Sequence, residues 1–231
     1  MIFSVDHIVF AATAADRERL TTELSRCDFR PEQFRLEFPG IGAASESLSY
    51  AGGGFVEFVG ELDPALSPDV WFAETPRVIG LGFASDAFDD DIAHWTWPDA
   101  WTMNEDHVLP TGDVLNIHAA GPHFHRSDFY VFVMDRPAGT LEFPTTTAMP
   151  RLREIRIEGG DAARWRADLA SWLRLDEDGD ALRVGPAKLR FADGARESVR
   201  ATLVFEAPVD HPVTVPLAAG SIMLEPPAAP A

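Results

Sequence analysis

Cysteine and lysine are almost missing from this chain of 231 residues. The one cysteine, Cys27, can form no intrachain disulfide and no thiolate cluster for zinc or iron–sulfur, which fits a reducing, cytoplasmic setting. Lys188 is the one lysine among 19 basic residues, set against 37 Asp and Glu, so the net charge is -18 and the isoelectric point about 4.6. A surface this negative repels phosphate backbones and anionic headgroups, which argues against nucleic acid and membranes as partners. No run approaches the ~18 consecutive apolar residues of a membrane span. The opening Met1-Ile2-Phe3-Ser4-Val5-Asp6 lacks the basic segment and apolar stretch of a signal peptide. No Gly-x-x-x-x-Gly-Lys-Ser/Thr or Gly-x-Gly-x-x-Gly loop is present to cradle phosphates. Ser45 and Ser47 sit in no nucleophile elbow. What remains, 46% apolar residues and a mean hydropathy of -0.06, is the composition of a folded globular protein.

The chain begins the same way three times. Val5-Asp6-His7-Ile8-Val9-Phe10 is followed by Thr13, Asp16, Leu20 and Leu24. Val78-Ile79-Gly80-Leu81-Gly82-Phe83 leads to Ser85, Asp86, Phe88, Ile92 and Trp95. Leu152-Arg153-Glu154-Ile155-Arg156-Ile157 leads to Asp161, Trp165, Leu169 and Trp172. Each is a strand-like run, a helix-capping residue, then apolar residues at helical spacing. Thr13-x-x-Asp16 has the form of a capping box. His7, Gly80 and Glu154 are equivalent, at steps of 73 and 74 residues, which marks a repeated structural unit.

Strand patterns follow each helix. In the first unit they are 34–38, 46–50 and 54–59; in the second 113–118, 129–134 and a weaker one near Trp101. In the third they are 187–191, 202–206 and 221–225, ahead of a Pro/Ala tail. The unit is therefore βαβββ and the expected class α+β: repeated βαβββ units forming a cupped mixed sheet, with a third related C-terminal unit. Units at about 1–63 and 76–146 are expected to pair into one domain (1–146), leaving 150–231 as the third. Pro64 to Pro76 and Pro144 to Pro150 read as linkers.

Repeated βαβββ units with Asp6-His7-Ile8-Val9 at the start and Gly54-Phe55-Val56-Glu57-Phe58-Val59 on a fourth strand resemble the vicinal oxygen chelate superfamily. Within it, the chain is similar to glyoxalase-like domain proteins. Gly80-Leu81-Gly82-Phe83-Ala84 before an acidic helix and the aromatic strand 128–133 add to the likeness. It covers the first two-thirds well and the last third loosely. The resemblance implies a small-molecule substrate and a divalent metal ion (Zn, Fe, Mn, Co or Ni) in the cup, with His7 and Glu57 as ligands. A second copy of the chain is left open as a partner.

The residues themselves allow this chemistry. Strand alternation places His7 with Val5 and Val9 on one face, and Ile8 with Phe10 on the other. A carboxylate at Glu57, between Val56 and Phe58, is costly against an apolar core unless a cation or a wet cavity meets it. His7 and Glu57 are then either ligands or a simple hydrogen-bonded pair. The other units do not repeat the pair. Gly80 and Glu154 stand at the His7 position, while Val131 or Phe132 and Met223 align near Glu57.

His118, His123 and His125, within eight residues, are the candidates to complete the set. His118, on a strand, is best placed as a third ligand and as an acid/base beside Glu57. His123 and His125, at i and i+2 of an extended segment, share a face. With Trp97 and Trp101 they are candidates for contact with substrate. Trp165 and Trp172 follow a helical face and belong to the core. Two functions follow: a metal-dependent lyase, isomerase or dioxygenase acting on a small oxygenated substrate, or a metal-free protein that binds or sequesters a small molecule in the same cup.

Overall fold

The computed structural model describes residues 2–12, 14–26, 33–38, 43–52, 54–61, 78–93, 100–108, 114–122, 130–136, 150–159, 161–195 and 199–228. Both expected linkers, 64–76 and 144–150, lie outside these apart from Pro150. The first unit is β1 (Ile2–Ala11), α1 (Ala14–Arg26), β2 (Gln33–Phe38), β3 (Ala43–Tyr50) and β4 (Gly54–Glu61). The second is β5 (Val78–Ser85), α2 (Phe88–Ala93), β6 (Ala100–Val108), β7 (Val114–Pro122) and β8 (Tyr130–Asp135). The third is β9 (Arg151–Gly159), α3 (Ala162–Trp172), β10 (Asp176–Asp178), β11 (Ala181–Val184) and β12 (Ala187–Asp193). Three strands remain: β13 (Arg200–Glu206), β14 (Val213–Leu217) and β15 (Gly220–Glu225).

Units one and two share one curled sheet, ordered β2-β3-β4-β1-β5-β8-β7-β6, joined where β1 runs antiparallel to β5. The second sheet, β10-β11-β12-β9-β13-β15-β14, repeats that order one strand short. There β9 and β13 form the antiparallel join, with β12 parallel to β9 and β15 parallel to β13. The third unit is thus completed by β12, and strands 202–206 and 221–225, expected within it, instead form a partner module with no helix between β13 and β14. Met223 consequently lies in that module, and the residue matching Glu57 in the third unit is Arg190. Each pairs across parallel strands with the residue two beyond the His7 or Glu154 position: Val9 with Glu57, Arg156 with Arg190.

The helices form where the sequence supplies both an apolar stripe and an end. Leu20 and Leu24, four apart, bury one face of α1. Ser85 ties the turn into α2: its hydroxyl accepts the Ala87 N–H at 3.0 Å and donates to Asp91 at 2.6 Å. In α3 Leu169 is buried, with Trp165 and Trp172 packed beside it. Asp161 stands at the cap position of α3, but its side chain makes no capping hydrogen bond.

One continuous apolar core joins the two sheets. Ile8, Phe10, Val56, Leu81 and Phe83 of the first meet Ile155, Leu203, Phe205 and Leu224 of the second, with Tyr50 and Phe205 ring centroids 5.6 Å apart. Polar ties fix the layering. The Asp16 carboxylate accepts the Ala218 N–H at 3.1 Å, and Arg19 donates to the Pro216 carbonyl at 3.1 Å. The first sheet thereby has a core face against α1, α2 and the second sheet. Its opposite face carries a smaller cluster of Val9, Val59, Ala119, Phe132 and Met134.

Candidate functional site

A β-bulge builds the site. Val5 pairs with Phe83 and His7 with Gly82, so two steps along β1 meet one step along β5. The extra residue breaks the alternation. Val5 joins Ile8 and Phe10 on the core face, contrary to the expectation that it shares a face with His7, while Asp6 and His7 both meet the opposite face. The Tyr50 hydroxyl donates to the Val5 carbonyl at 3.0 Å, beside the bulge. Burial, with the Asp6 charge nearby, pushes that hydroxyl well above its ordinary pKa of 10.0, so it remains a donor. The same bulge recurs in the second sheet, where Leu152 and Glu154 face Phe205 and Val204.

His7 is fixed on every side. Its Nδ1 lies 2.6 Å from Asp6 Oδ1, and Asp6 Oδ2 accepts from Arg136 Nε at 2.9 Å. Burial raises the Asp6 pKa, but His7 and the Arg136 guanidinium outweigh it and hold the carboxyl below its ordinary 3.8. The imidazole stacks on Phe55 (centroids 4.5 Å apart, planes 6° apart) and leans on Phe132 at 4.7 Å. Gly82 makes the room: a Cβ there would sit 2.7 Å from the Phe132 ring and 3.0 Å from His7 Nδ1. His7 Nε2 faces Glu57 Oε2 at 3.8 Å, with side chains only 9% and 11% exposed.

The arrangement poses an electrostatic question. With Nδ1–H donated to Asp6, a neutral His7 presents its Nε2 lone pair to a carboxylate, acceptor against acceptor. Asp6, Glu57 and Arg136 together leave one negative charge. The pair is satisfied by a proton on Nε2 or by a cation between the two groups. A histidine whose second nitrogen is held by a carboxylate is also the usual support for a metal ligand.

The other expected residues separate. Trp101 lies half-buried on the same face as His7, 6.4 Å from the Phe132 ring, beside Met103 and Ile117. Trp97, His123 and His125 lie outside the described residues. The expectation that His118 joins His7 and Glu57 is not met. In register with Ala119 opposite Met134, its side chain falls on the core face, 3.1 Å from Asp135 and 4.3 Å from the Phe88 ring. Strand parity therefore puts the sheet between His118 and His7.

Sequence reasoning missed Arg136, which lies 130 residues from Asp6 and leaves no local trace. It also missed Ser45 and Ser47 as site residues. Their pairing with Val59 and Glu57 puts both beside the site, and the alternation Ser45, Ser47, Ser49 was the available signal.

A divalent ion fits the pair but not a full protein cage. Catalytic zinc sites use three protein ligands. Among the described residues no group of three or more His, Cys, Asp or Glu could hold an ion. Gly80 and Phe132 occupy the positions where the second unit would supply the matching donors. The chemistry of His7 and Glu57 thus suits an open ion site of two donors, with the other positions left to water or substrate oxygens.

In the second sheet the equivalent place is filled by charge pairs. Glu154 accepts from Arg156 Nε at 3.0 Å and lies 2.8 Å from Arg190 Nε, and Arg190 also pairs with Asp180. The Arg156 hydrogen bond, against the cost of partial burial, holds Glu154 below its ordinary 4.5. Two arginines where the first sheet has Val9 and Glu57 repel a cation, so this face is no second copy of the site.

No protein-family model and no curated protein matches the sequence. Solved structures do match the fold. A hypothetical protein from Staphylococcus aureus superposes with a TM-score of 0.74 at 10% identity, over 98% of this chain and 100% of that one. A mutant of 4-hydroxymandelate synthase from Streptomyces coelicolor gives 0.53 at 14% identity, over 89% of this chain and 71% of that one. The 2,2',3-trihydroxybiphenyl 1,2-dioxygenase of Sphingomonas wittichii gives 0.55 at 11% identity, over 97% and 90%. No helix among the described residues is long and apolar enough to cross a membrane.

Proposed function

We propose, for a chain that carries the vicinal oxygen chelate fold, that the His7 and Glu57 face binds a small oxygenated molecule together with a divalent cation that His7 and Glu57 would hold. The activity would be that of a glyoxalase-like lyase, isomerase or dioxygenase. One observation carries the reading: two buried groups, His7 Nε2 and Glu57 Oε2, face each other at 3.8 Å with Asp6 holding the imidazole's other nitrogen. When bound, the cation would polarise a substrate oxygen as a Lewis acid. The chain's own residues orient and enclose. Arg136 and Asp6 set the imidazole, while Phe55, Phe132 and Trp101 exclude water and offer flat apolar contact. Among the described residues, Glu57 is the carboxylate placed to take a proton from a bound molecule.

Metal-free binding is the second reading, favoured by Gly80 and Phe132 at the second unit's donor positions. Calorimetric titration with Mn(II), Co(II) and Zn(II) separates the two. The first reading expects about one ion per chain, with affinity falling at least tenfold in His7→Ala and Glu57→Gln while far-UV circular dichroism is unchanged. A wild type that takes up no ion, or variants that bind it as tightly, overturns that reading in favour of the second.

A further inference from the structure

Three serines run along β3 on the face that carries His7. Ser45 pairs across the strands with Val59, Ser47 with Glu57 and Ser49 with Phe55. Phe55 in turn pairs with His7, so the serine row lies one strand beyond the His7 and Glu57 pair. Ser45 and Ser47 are wholly buried, and neither hydroxyl has a hydrogen-bond partner among the described residues. Buried hydroxyls are normally satisfied, and an orphan is costly where alanine would cost nothing. Leu48 and Tyr50, of the opposite parity on the same strand, pack into the core.

The two halves of the face differ in their polar groups. The half contributed by the first unit holds the serines, Glu57 and His7 among the apolar Val9, Val59 and Phe55. The half contributed by the second holds Phe132, Met134 and Ala119, with Trp101, Met103 and Ile117 packed beside them. We propose that Ser45 and Ser47 form a polar subsite for the uncharged, hydroxyl-bearing head of a ligand whose apolar body lies over Phe132 and Met134. This rests on the proposed use of the His7 face and specifies the ligand it takes. A hydroxyl both donates and accepts, as does each serine, so paired hydroxyls satisfy both partners. An anionic head is disfavoured beside Glu57 in a chain of net charge -18.

The experiment uses phenylethanediol and phenethyl alcohol, which share a phenyl body and differ by one hydroxyl, with binding followed by ligand-observed NMR. Wild type is expected to prefer the diol by about tenfold, and Ser45→Ala/Ser47→Ala to lose that preference while still binding the alcohol. The thermal midpoint of the double variant should be unchanged or higher, since the hydroxyls have no partner among the described residues. Equal affinity for the two probes in wild type, or no binding of either, overturns the proposal, as does a double variant that keeps the preference. A lowered midpoint with the preference intact assigns the hydroxyls to structure and likewise overturns it. Metal titration of the wild type keeps the two readings apart: a wild type that takes up the ion but shows no diol preference rejects the serine subsite alone.

Discussion

Removing Arg136 is the sharpest test of how the site is held. Asp6 is 2% exposed and Arg136 9%, and their 2.9 Å contact is one of two bonds that satisfy the Asp6 carboxylate. Breaking a buried pair by deleting one partner costs about 3–5 kcal/mol, because the survivor keeps its desolvated charge. Asp6 retains His7 at 2.6 Å, which places Arg136→Met near the lower end, about 3 kcal/mol. For a chain of this size that is a fall in thermal midpoint of roughly 6–12 °C. Asp6→Leu alone strands the guanidinium, and the double variant strands neither group. The two single losses should therefore exceed the double loss by about 2 kcal/mol in a double-mutant cycle. Urea unfolding at pH 7, followed by tryptophan fluorescence for the four proteins, measures this. A loss under about 1 kcal/mol for Arg136→Met, or strictly additive singles, would refute the account of a buried Arg136–Asp6–His7 chain.

Acid should weaken the fold through the same residue. The folded pKa of Asp6 lies below its unfolded value of 3.8, so its contribution is complete above 3.8 and drains away as pH falls through the folded pKa. Asp6→Asn should flatten the stability profile below that value, and an unchanged slope in urea titrations would contradict the assignment. At the join of β1 and β5, Gly82→Ala forces a Cβ to 2.7 Å from Phe132 and 3.0 Å from His7. The imidazole or the ring must move, so cation affinity should fall at least tenfold with far-UV circular dichroism retained; wild-type affinity in this variant would show that the packing there is slack.

Much of the architecture was written locally. Three strand–helix starts at steps of 73 and 74 residues, each with its own apolar period, specify repeated units whatever the rest of the chain does. His7 and Glu57 stood out because a charged residue inside an otherwise apolar strand calls for a partner, and the parallel pairing of β1 with β4 supplies it. What the tertiary structure alone decided were matters of parity and distance. One inserted residue at Asp6 moves Val5 to the core and sets Asp6 beside His7, and nothing in the composition of 5–7 announces it. His118 read as a neighbour of the site because it sits on a strand, yet its side of the sheet depends on how β7 registers against β8. The β13–β15 module looked like the end of the third unit until β10 and β11, three and four residues long, took the places beside β12. Arg136 meets Asp6 across 130 residues of chain. Periodicity is a property of short segments and can be read from them; register and long-range charge pairing are set by what the whole sheet brings together, and only the folded chain holds that information.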